Sequence, residues 1–329
     1  MSIENLAVVG GGAWGTALAQ VAAASGRDTL LWAMEDDVVA AINRIHENPI
    51  YLKGLGLSPA IRATSNFSDL SSSDAWLVVT PAQHMRAVLS RLPCPNMPLI
   101  LCSKGIEEGS ERMLHQVAAD VCPTSPVAVL SGPTFAHEVA AGLPTAVTLA
   151  CEDEALGEQL RARIASPTFR IYLTDDVAGA EVGGAVKNVL AIACGVVEGR
   201  GLGQNARAAL IARGFAEMTR FGQAMGGRRE TLAGLSGLGD LVLTCSSTSS
   251  RNFSLGKAIG EGRGAEQLMA DRKTVAEGAH TAPVLDRMAR AKGIDMPIVA
   301  AVAALLDGRL DVANALEELM SRPPRPESH

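Results

Sequence analysis

The sequence predicts an α/β protein: an N-terminal doubly wound, mostly parallel sheet followed by a mostly α-helical C-terminal domain. Three observations carry this. Continuous apolar runs such as Trp76-Leu77-Val78-Val79 alternate with helical segments through the first half of the chain, as strands buried on both faces of a parallel sheet should. A glycine-rich turn joins the first apolar run to the first helical run. After about residue 178 strand-like runs stop and long Ala/Leu/Gly-rich helical segments follow. At 329 residues the chain is long for one core, so two domains, 1–178 and 179–329, are expected.

The first strand, Leu6-Ala7-Val8-Val9, leads into Gly10-Gly11-Gly12-Ala13-Trp14-Gly15. Gly10, Gly12 and Gly15 fit the pattern G-x-G-x-x-G. The first glycine permits the tight turn, the second lets a pyrophosphate approach the backbone, and the third lets helix pack on strand. The pattern alone is weak, but its place between strand and helix makes it a Rossmann-type dinucleotide site. The helix start adds free N–H groups and positive dipole charge. Trp14, Leu18, Val21, Ala22 and Ser25 share one helical face, and Gly26 is expected to end the helix. Gly260-x-Gly262-x-x-Ala265 fits a looser form of the pattern but follows no strand, and reads as a turn.

Asp28–Trp32 is the second expected strand, and Met34, Glu35, Asp36 and Asp37 follow it. An acidic residue here binds the adenosine ribose hydroxyls of NAD, whereas NADP calls for a nearby Arg. Glu35 stands 25 residues past Gly10, and no Arg or Lys lies between Asp28 and Asn43. Glu35 either faces that ribose or joins Asp36 and Asp37 in loading the first turn of the next helix. Later strands are expected at Ile61–Thr64, Ala75–Thr80, Pro98–Ser103, Pro126–Ser131, Thr145–Ala150 and Phe169–Leu173. Ser321–His329 carries three prolines and is expected to fray.

Net charge is −6 and the isoelectric point about 5.6. There is no basic patch with interleaved aromatics, so nucleic acid is not an expected partner. No apolar run is expected to reach the length of a membrane span. Met1 leads almost directly into the first strand, without the basic and apolar regions of a secretory leader. The six cysteines are scattered, with no C-x-x-C, which fits a reduced cytoplasmic protein without a metal site.

Four stretches can carry chemistry. Lys187 sits in the apolar run Ala180–Cys194, with Gly183, Gly184, Leu190 and Ala191 as its helical neighbours. It either snorkels to an edge or is held in a pocket, where burial lowers its pKa toward general acid–base work. Ser103-Lys104-Gly105 follows a buried strand, where open α/β sheets bind ligands. Ser131-Gly132-Pro133-Thr134 follows another strand and opens a helix in which His137 reads as a surface residue. Gly234–Gly239 holds too many glycines for a helix, whereas a helical pattern begins at Asp240, which is either an N-cap or a site carboxylate. Ser250-Arg251-Asn252 then offers either a polar loop or a phosphate grip.

Taken together, Gly-Gly-Ala-Trp-Gly-Thr-Ala-Leu-Ala at 11–19, Ser-Lys-Gly at 103–105, Ser-Gly-Pro-Thr-Phe-Ala at 131–136, Gly-Gly-Ala-Val-Lys-Asn-Val at 183–189, Gly-Leu-Gly-Asp-Leu at 237–241 and Ser-Arg-Asn at 250–252 resemble bacterial NAD(P)-dependent sn-glycerol-3-phosphate dehydrogenase. The blocks stand in that family's order and span nearly the whole chain. The resemblance implies direct, reversible hydride transfer between NAD(P)H and dihydroxyacetone phosphate, supplying glycerol 3-phosphate for phospholipid synthesis in the cytoplasm, by a homodimer. It makes Lys187 the acid–base residue. It places Lys104, Gly132, Thr134, Asp240, Ser250, Arg251 and Asn252 at the substrate. It places the glycine loop with Ala13 and Trp14 at the cofactor, together with Met34, Glu35, Lys104, Ala136, Arg251, Val275 and Glu277. Many bacterial members carry Arg or His where Met34 stands, so Met34-Glu35-Asp36 leans toward NAD. The residues alone leave open a different hydroxy acid substrate, which the Arg251-Asn252 phosphate grip argues against, or a non-enzymatic NAD sensor, for which no effector domain is visible.

Overall fold

The computed structural model describes residues 3–24, 27–93, 96–270 and 276–323. Eight strands form one sheet: β1 (Leu6–Val9), β2 (Thr29–Trp32), β5 (Ile61–Thr64), β6 (Ala75–Val78), β7 (Leu99–Leu101), β8 (Val127–Ser131), β9 (Thr145–Cys151) and β10 (Phe169–Thr174). Their order across the sheet is β10-β9-β8-β7-β6-β1-β2-β5. β1, β6 and β7 are buried along their whole length, as their continuous apolar runs require. The chain runs outward from β1 through β2 to β5, then returns to lay β6 on the other side of β1. The topological switch point, where a doubly wound sheet opens a crevice at its strand ends, is therefore between β1 and β6.

Each expected strand is present; Leu6–Val9 and Ile61–Thr64 keep the expected bounds, and the others are trimmed or extended by one or two residues at an end. Among the described residues, the one antiparallel pairing within the eight-stranded sheet is β8 with β9. The helix between them, α5 (Ala136–Ala140), has five residues. That is too short to carry the chain back along the strand for a parallel crossover. A two-stranded hairpin, β3 (Glu47–Asn48) with β4 (Leu52–Gly56), follows α2 (Asp36–Ile45) and had no alternating pattern to announce it. Strand-to-strand packing is completed by α1 (Ala13–Ala23), α3 (Met85–Leu89), α4 (Leu114–Val121) and α6 (Glu154–Ile164). Ser25 and Gly26, expected at the end of α1, lie outside the described residues, as does the tail from 324.

Every described element after β10 is helical. The centre is α7 (Val177–Gly199), almost wholly buried and packed by α8 (Gly203–Ala224), α10 (Asp240–Thr244), α11 (Arg251–Gly260), α13 (Glu277–Ala291) and α14 (Pro297–Leu306). α7 and α11 touch backbone to backbone. A Cβ on Gly195 would overlap the Phe253 carbonyl oxygen, and one on Gly256 would overlap that of Ile192. Gly260 closes α11 and Gly262, at φ 95°, makes the turn expected there.

α7 corrects one expectation. With 23 residues and a mean hydropathy of 1.5, it is long and apolar enough to cross a membrane. All of its apolar window is buried inside the protein, so its hydropathy is that of a core helix wrapped on all sides.

Candidate active site

The glycine loop sits at the switch point. Gly10 has φ +130°, a conformation that side chains rarely adopt, and its missing Cβ would lie 2.8 Å from the Val79 carbonyl oxygen beside β6. A Cβ at Gly15 would overlap the carbonyl oxygen of Gly10. Gly12 is different: nothing lies within 4 Å of where its Cβ would be. It is the N-cap of α1, with no side chain satisfying the first N–H groups. The loop therefore packs tightly on one side and presents unclaimed donors on an open side, which fits a pyrophosphate. Trp14 Nε1 and Thr80 Oγ1, close to the loop in sequence or beside β6, are buried without a hydrogen-bond partner among the described residues. Ala13 and Trp14 pack against the same core cluster as Ala136, the first residue of α5.

At the end of β2, Met34 is 73% exposed. Glu35 is the N-cap of α2 by backbone position, but its side chain does not cap that helix. It instead accepts a hydrogen bond of 2.7 Å from the Tyr51 hydroxyl. Asp36 and Asp37 do load the first turn.

The second group of residues meets below the strand ends. Asp240 is fully buried and holds two lysines. Its Oδ1 accepts from Lys187 Nζ at 2.6 Å and its Oδ2 from Lys104 Nζ at 2.6 Å. Lys187 also donates to Thr244 Oγ1 at 2.8 Å, and Thr244 donates to Asp240 Oδ1 at 3.1 Å. Lys104 also donates to the Gly132 carbonyl at 3.2 Å, an oxygen that the Thr134 hydroxyl approaches at 3.4 Å. Burial pushes the Lys187 ammonium down to about 8. Asp240 opposes that shift and the Lys104 charge adds to it. For Asp240, burial alone would raise the carboxyl, but the two lysines outweigh it and hold it below the usual range.

Glycines make this meeting possible. A Cβ on Gly183 would overlap the Ser236 carbonyl oxygen, so only glycine lets α7 approach the segment before Asp240. At the next residue, a Cβ on Gly184 would lie 3.2 Å from Lys104 Cγ and from Ser131 Oγ. The segment itself corrects the sequence reading. Leu235–Gly239 is not irregular; it is a π-helical turn running directly into α10. Gly237 permits the tight coil, since a Cβ there would overlap the Leu232 carbonyl oxygen. Gly239, not Asp240, takes the N-cap position.

Ser250-Arg251-Asn252 is likewise a helix start rather than a loop. Ser250 Oγ caps α11 by accepting from Phe253 N at 3.2 Å. Arg251 is exposed. Asn252 is buried, donates to Asn188 Oδ1 at 3.0 Å and accepts from Gly278 N at 2.9 Å, and so is tied to the neighbour of Lys187. Glu277 begins α13 and accepts from Ala82 N at 3.4 Å. Burial raises its carboxyl, and the Arg251 charge is the largest force opposing this. Val275 lies outside the described residues. His137 is exposed, as read from the sequence. Among the described residues, no group of three or more His, Cys, Asp or Glu could hold a metal ion.

Thr244 was missed by sequence reasoning, although its place one helical turn after Asp240 was a usable signal. Gly184 and Asn188 were noted beside Lys187 but given no role of their own. Tyr51 had no signal at all.

A glycine-rich loop at the switch point of a doubly wound sheet, with a buried Lys–Asp–Lys cluster where the sheet meets the helical domain, fits the class of nicotinamide-dinucleotide dehydrogenases. The sequence model of the NAD-dependent glycerol-3-phosphate dehydrogenase N-terminus matches residues 5–157, and that of the C-terminus matches 176–317. The chain is 65% identical over 323 residues to glycerol-3-phosphate dehydrogenase (NAD(P)+) of Erythrobacter litoralis, covering 98% of each. It is 60% identical to a second of that name from Sphingopyxis alaskensis, covering 99% of each. The crystal structure of glycerol-3-phosphate dehydrogenase from Coxiella burnetii superposes with a TM-score of 0.92 at 38% identity, over 97% of this chain and 99% of that one. The chain belongs to the NAD-dependent glycerol-3-phosphate dehydrogenase family.

Proposed function

We propose that the chain interconverts dihydroxyacetone phosphate and sn-glycerol 3-phosphate with NAD(H) or NADP(H), supplying glycerol 3-phosphate for glycerophospholipid synthesis. The observation that carries this reading is the grip of Asp240 on both Lys187 and Lys104, at 2.6 Å each. A nicotinamide dinucleotide bound at the glycine loop would supply the hydride in the reducing direction and take it up in the other. Gly10, Gly12, Ala13, Trp14 and Gly15 would hold its pyrophosphate, Met34 and Glu35 its ribose end, and Ala136, Val275 and Glu277 further contacts.

Lys187 moves the proton. As ammonium it protonates the oxygen forming on C2 of the substrate, and as neutral amine it removes the hydroxyl proton in reverse. A pKa of about 8 keeps both forms within reach near neutral pH. Asp240 prevents burial from discharging the lysine altogether. Lys104, fixed between Asp240 and Gly132, brings a second positive charge toward the same oxygen. Arg251 and Asn252, in the first turn of α11, would hold the phosphate, where the guanidinium and the helix dipole add. Gly132, Thr134 and Ser250 complete the substrate site. The carboxylate of Glu35 favours NAD over NADP. Residues 1–178 form the dinucleotide domain and 179–329 the catalytic domain. The five described cysteines are free, which supports a reducing compartment, the cytoplasm. The homodimer follows from the family resemblance, and sedimentation velocity tests it.

The function is tested by following NADH and NADPH oxidation by absorbance with dihydroxyacetone phosphate as substrate. Turnover is expected. None with this substrate, alongside turnover of an unphosphorylated hydroxy or keto acid, would overturn the reading.

A further inference from the structure

The turn between β3 and β4 links the two ends of the dinucleotide site. Asn48 is fully buried. Its Nδ2 donates to the Gly11 carbonyl at 2.9 Å and to Thr16 Oγ1 at 2.8 Å, so both amide hydrogens are bound to the glycine loop and the first turn of α1. Its Oδ1 accepts from the backbone N–H of Tyr51 at 3.1 Å. Tyr51 then reaches back across the site and donates its hydroxyl to Glu35 Oε1 at 2.7 Å. Hydrogen bonds at both ends of Tyr51, its backbone N–H to Asn48 and its hydroxyl to Glu35, thus tie the glycine loop to Glu35 through Asn48 and the body of Tyr51.

We propose that Tyr51, anchored by Asn48, is a positioning residue that holds the Glu35 carboxylate toward the adenosine ribose and thereby sets the choice between NAD and NADP. The inference rests on the reading of Glu35 as the ribose-side carboxylate. Glu35 does not cap its own helix, and among the described residues its side-chain hydrogen-bond partner is the Tyr51 hydroxyl. A glutamate free to swing into solvent discriminates poorly: it need not face a 2′-phosphate, and ordering it opposes binding. Tyr51 removes that freedom before the ligand arrives. The bond uses one carboxylate oxygen and leaves Oε2 to accept from ribose hydroxyls, while the full negative charge stays where a 2′-phosphate would sit. Tyr51 is itself 40% exposed, so the hydroxyl, rather than burial of the ring, is what it contributes.

The test is equilibrium binding of NADH and NADPH by isothermal titration calorimetry at one salt concentration, with wild type, Tyr51→Phe, Glu35→Ala and the double variant. Tyr51→Phe is expected to weaken NADH binding about three- to tenfold, the effect of one newly mobile side chain. The preference for NADH over NADPH should narrow by a similar factor, with kcat unchanged. In the Glu35→Ala background the same substitution should do nothing. If Glu35→Ala leaves the NADH/NADPH ratio unaltered, the reading of Glu35 itself fails. If Glu35→Ala changes the ratio and Tyr51→Phe does not, only the positioning role fails. An equal effect of Tyr51→Phe with and without Glu35 would make Tyr51 a direct ligand contact, which also overturns the proposal. A second measurement needs no cofactor. The chain has two tyrosines, so in Tyr172→Phe an ultraviolet titration reads Tyr51 alone. Its hydrogen bond to Glu35 raises its pKa above the ordinary phenol value, and Glu35→Ala should bring the midpoint down. A midpoint that does not move would show that the bond does not form in solution.

Discussion

Lys187 Nζ lies 2.6 Å from Asp240 Oδ1, with the lysine side chain 7% exposed and the aspartate side chain not at all. Water solvates neither charge to any useful extent, so each depends on the other and on Lys104. Lys187→Met should fold, because Asp240 keeps Lys104 as its partner, yet lose about 10²–10⁴-fold in turnover, the usual worth of a positioned acid–base group. Circular dichroism and steady-state kinetics check this, and near-normal kcat would remove Lys187 from the proton transfer.

On the proposed mechanism the same lysine would set the pH dependence. Its pKa is lowered from 10.5 to about 8, so oxidation of glycerol 3-phosphate, which needs the neutral amine, should rise with pH through about 8 and level off. Reduction, which needs the ammonium, should fall over the same range. Stability follows with a definite sign. Between about 8 and 10.5 the unfolded chain keeps this proton and the folded chain does not, so this group makes the fold more stable as pH rises across that window. Lys187→Met should lose that rise; a melting temperature profile identical to wild type there would contradict it.

Arg251→Ala should raise KM for dihydroxyacetone phosphate far more than for unphosphorylated dihydroxyacetone. Losing a hydrogen bond to a charged group costs about 1.5–3 kcal/mol. Equal effects on the two substrates would place Arg251 away from the phosphate.

Gly183→Ala tests the backbone approach that assembles the site. A Cβ there would overlap the Ser236 carbonyl oxygen, so α7 and the π-helical turn must separate and carry Lys187 away from Asp240. The expected result is a loss of kcat of roughly 10²-fold, as displacements near 1 Å produce, with dinucleotide affinity retained. Unchanged kcat would mean that the turn moves without disturbing the pair.

On the proposed reading, Met34→Arg would place a cation beside the ribose end of the site; Met34 is 73% exposed. The ratio of kcat/KM for NADPH to that for NADH should increase, and more at low salt than at high salt, because the attraction is screened. A strong NADPH preference in the unaltered protein would defeat the assignment of Glu35.

Much of the first domain was legible because its signals are local. Gly10, Gly12 and Gly15 lie within six residues of one another, and a fully buried strand shows itself as an unbroken apolar run. The Lys–Asp–Lys cluster was legible only as separate candidates. Asp240 is 53 residues from Lys187 and 136 from Lys104, and no periodicity reports contacts at such distances. The π-helical turn at Leu235–Gly239 was read as irregular because glycine disfavours helix on average, whereas here the absent side chains are what let the backbone coil so closely. Tyr51 stayed hidden because its hairpin has a two-residue strand with an irregular register and its partner sits 16 residues away in a different element.

α7 has one further consequence, for the chain as it leaves the ribosome. It is completed at Gly199, whereas α8, α10, α11, α13 and α14, which cover it, are all translated afterwards. For the time needed to make roughly a hundred residues, several seconds at ordinary elongation rates, the nascent protein carries a finished sheet domain followed by a 23-residue segment with the hydropathy of a membrane anchor. A chain cut after Gly199 would keep that segment bare indefinitely. It should be captured by chaperones or aggregate, even though the sheet before it is complete.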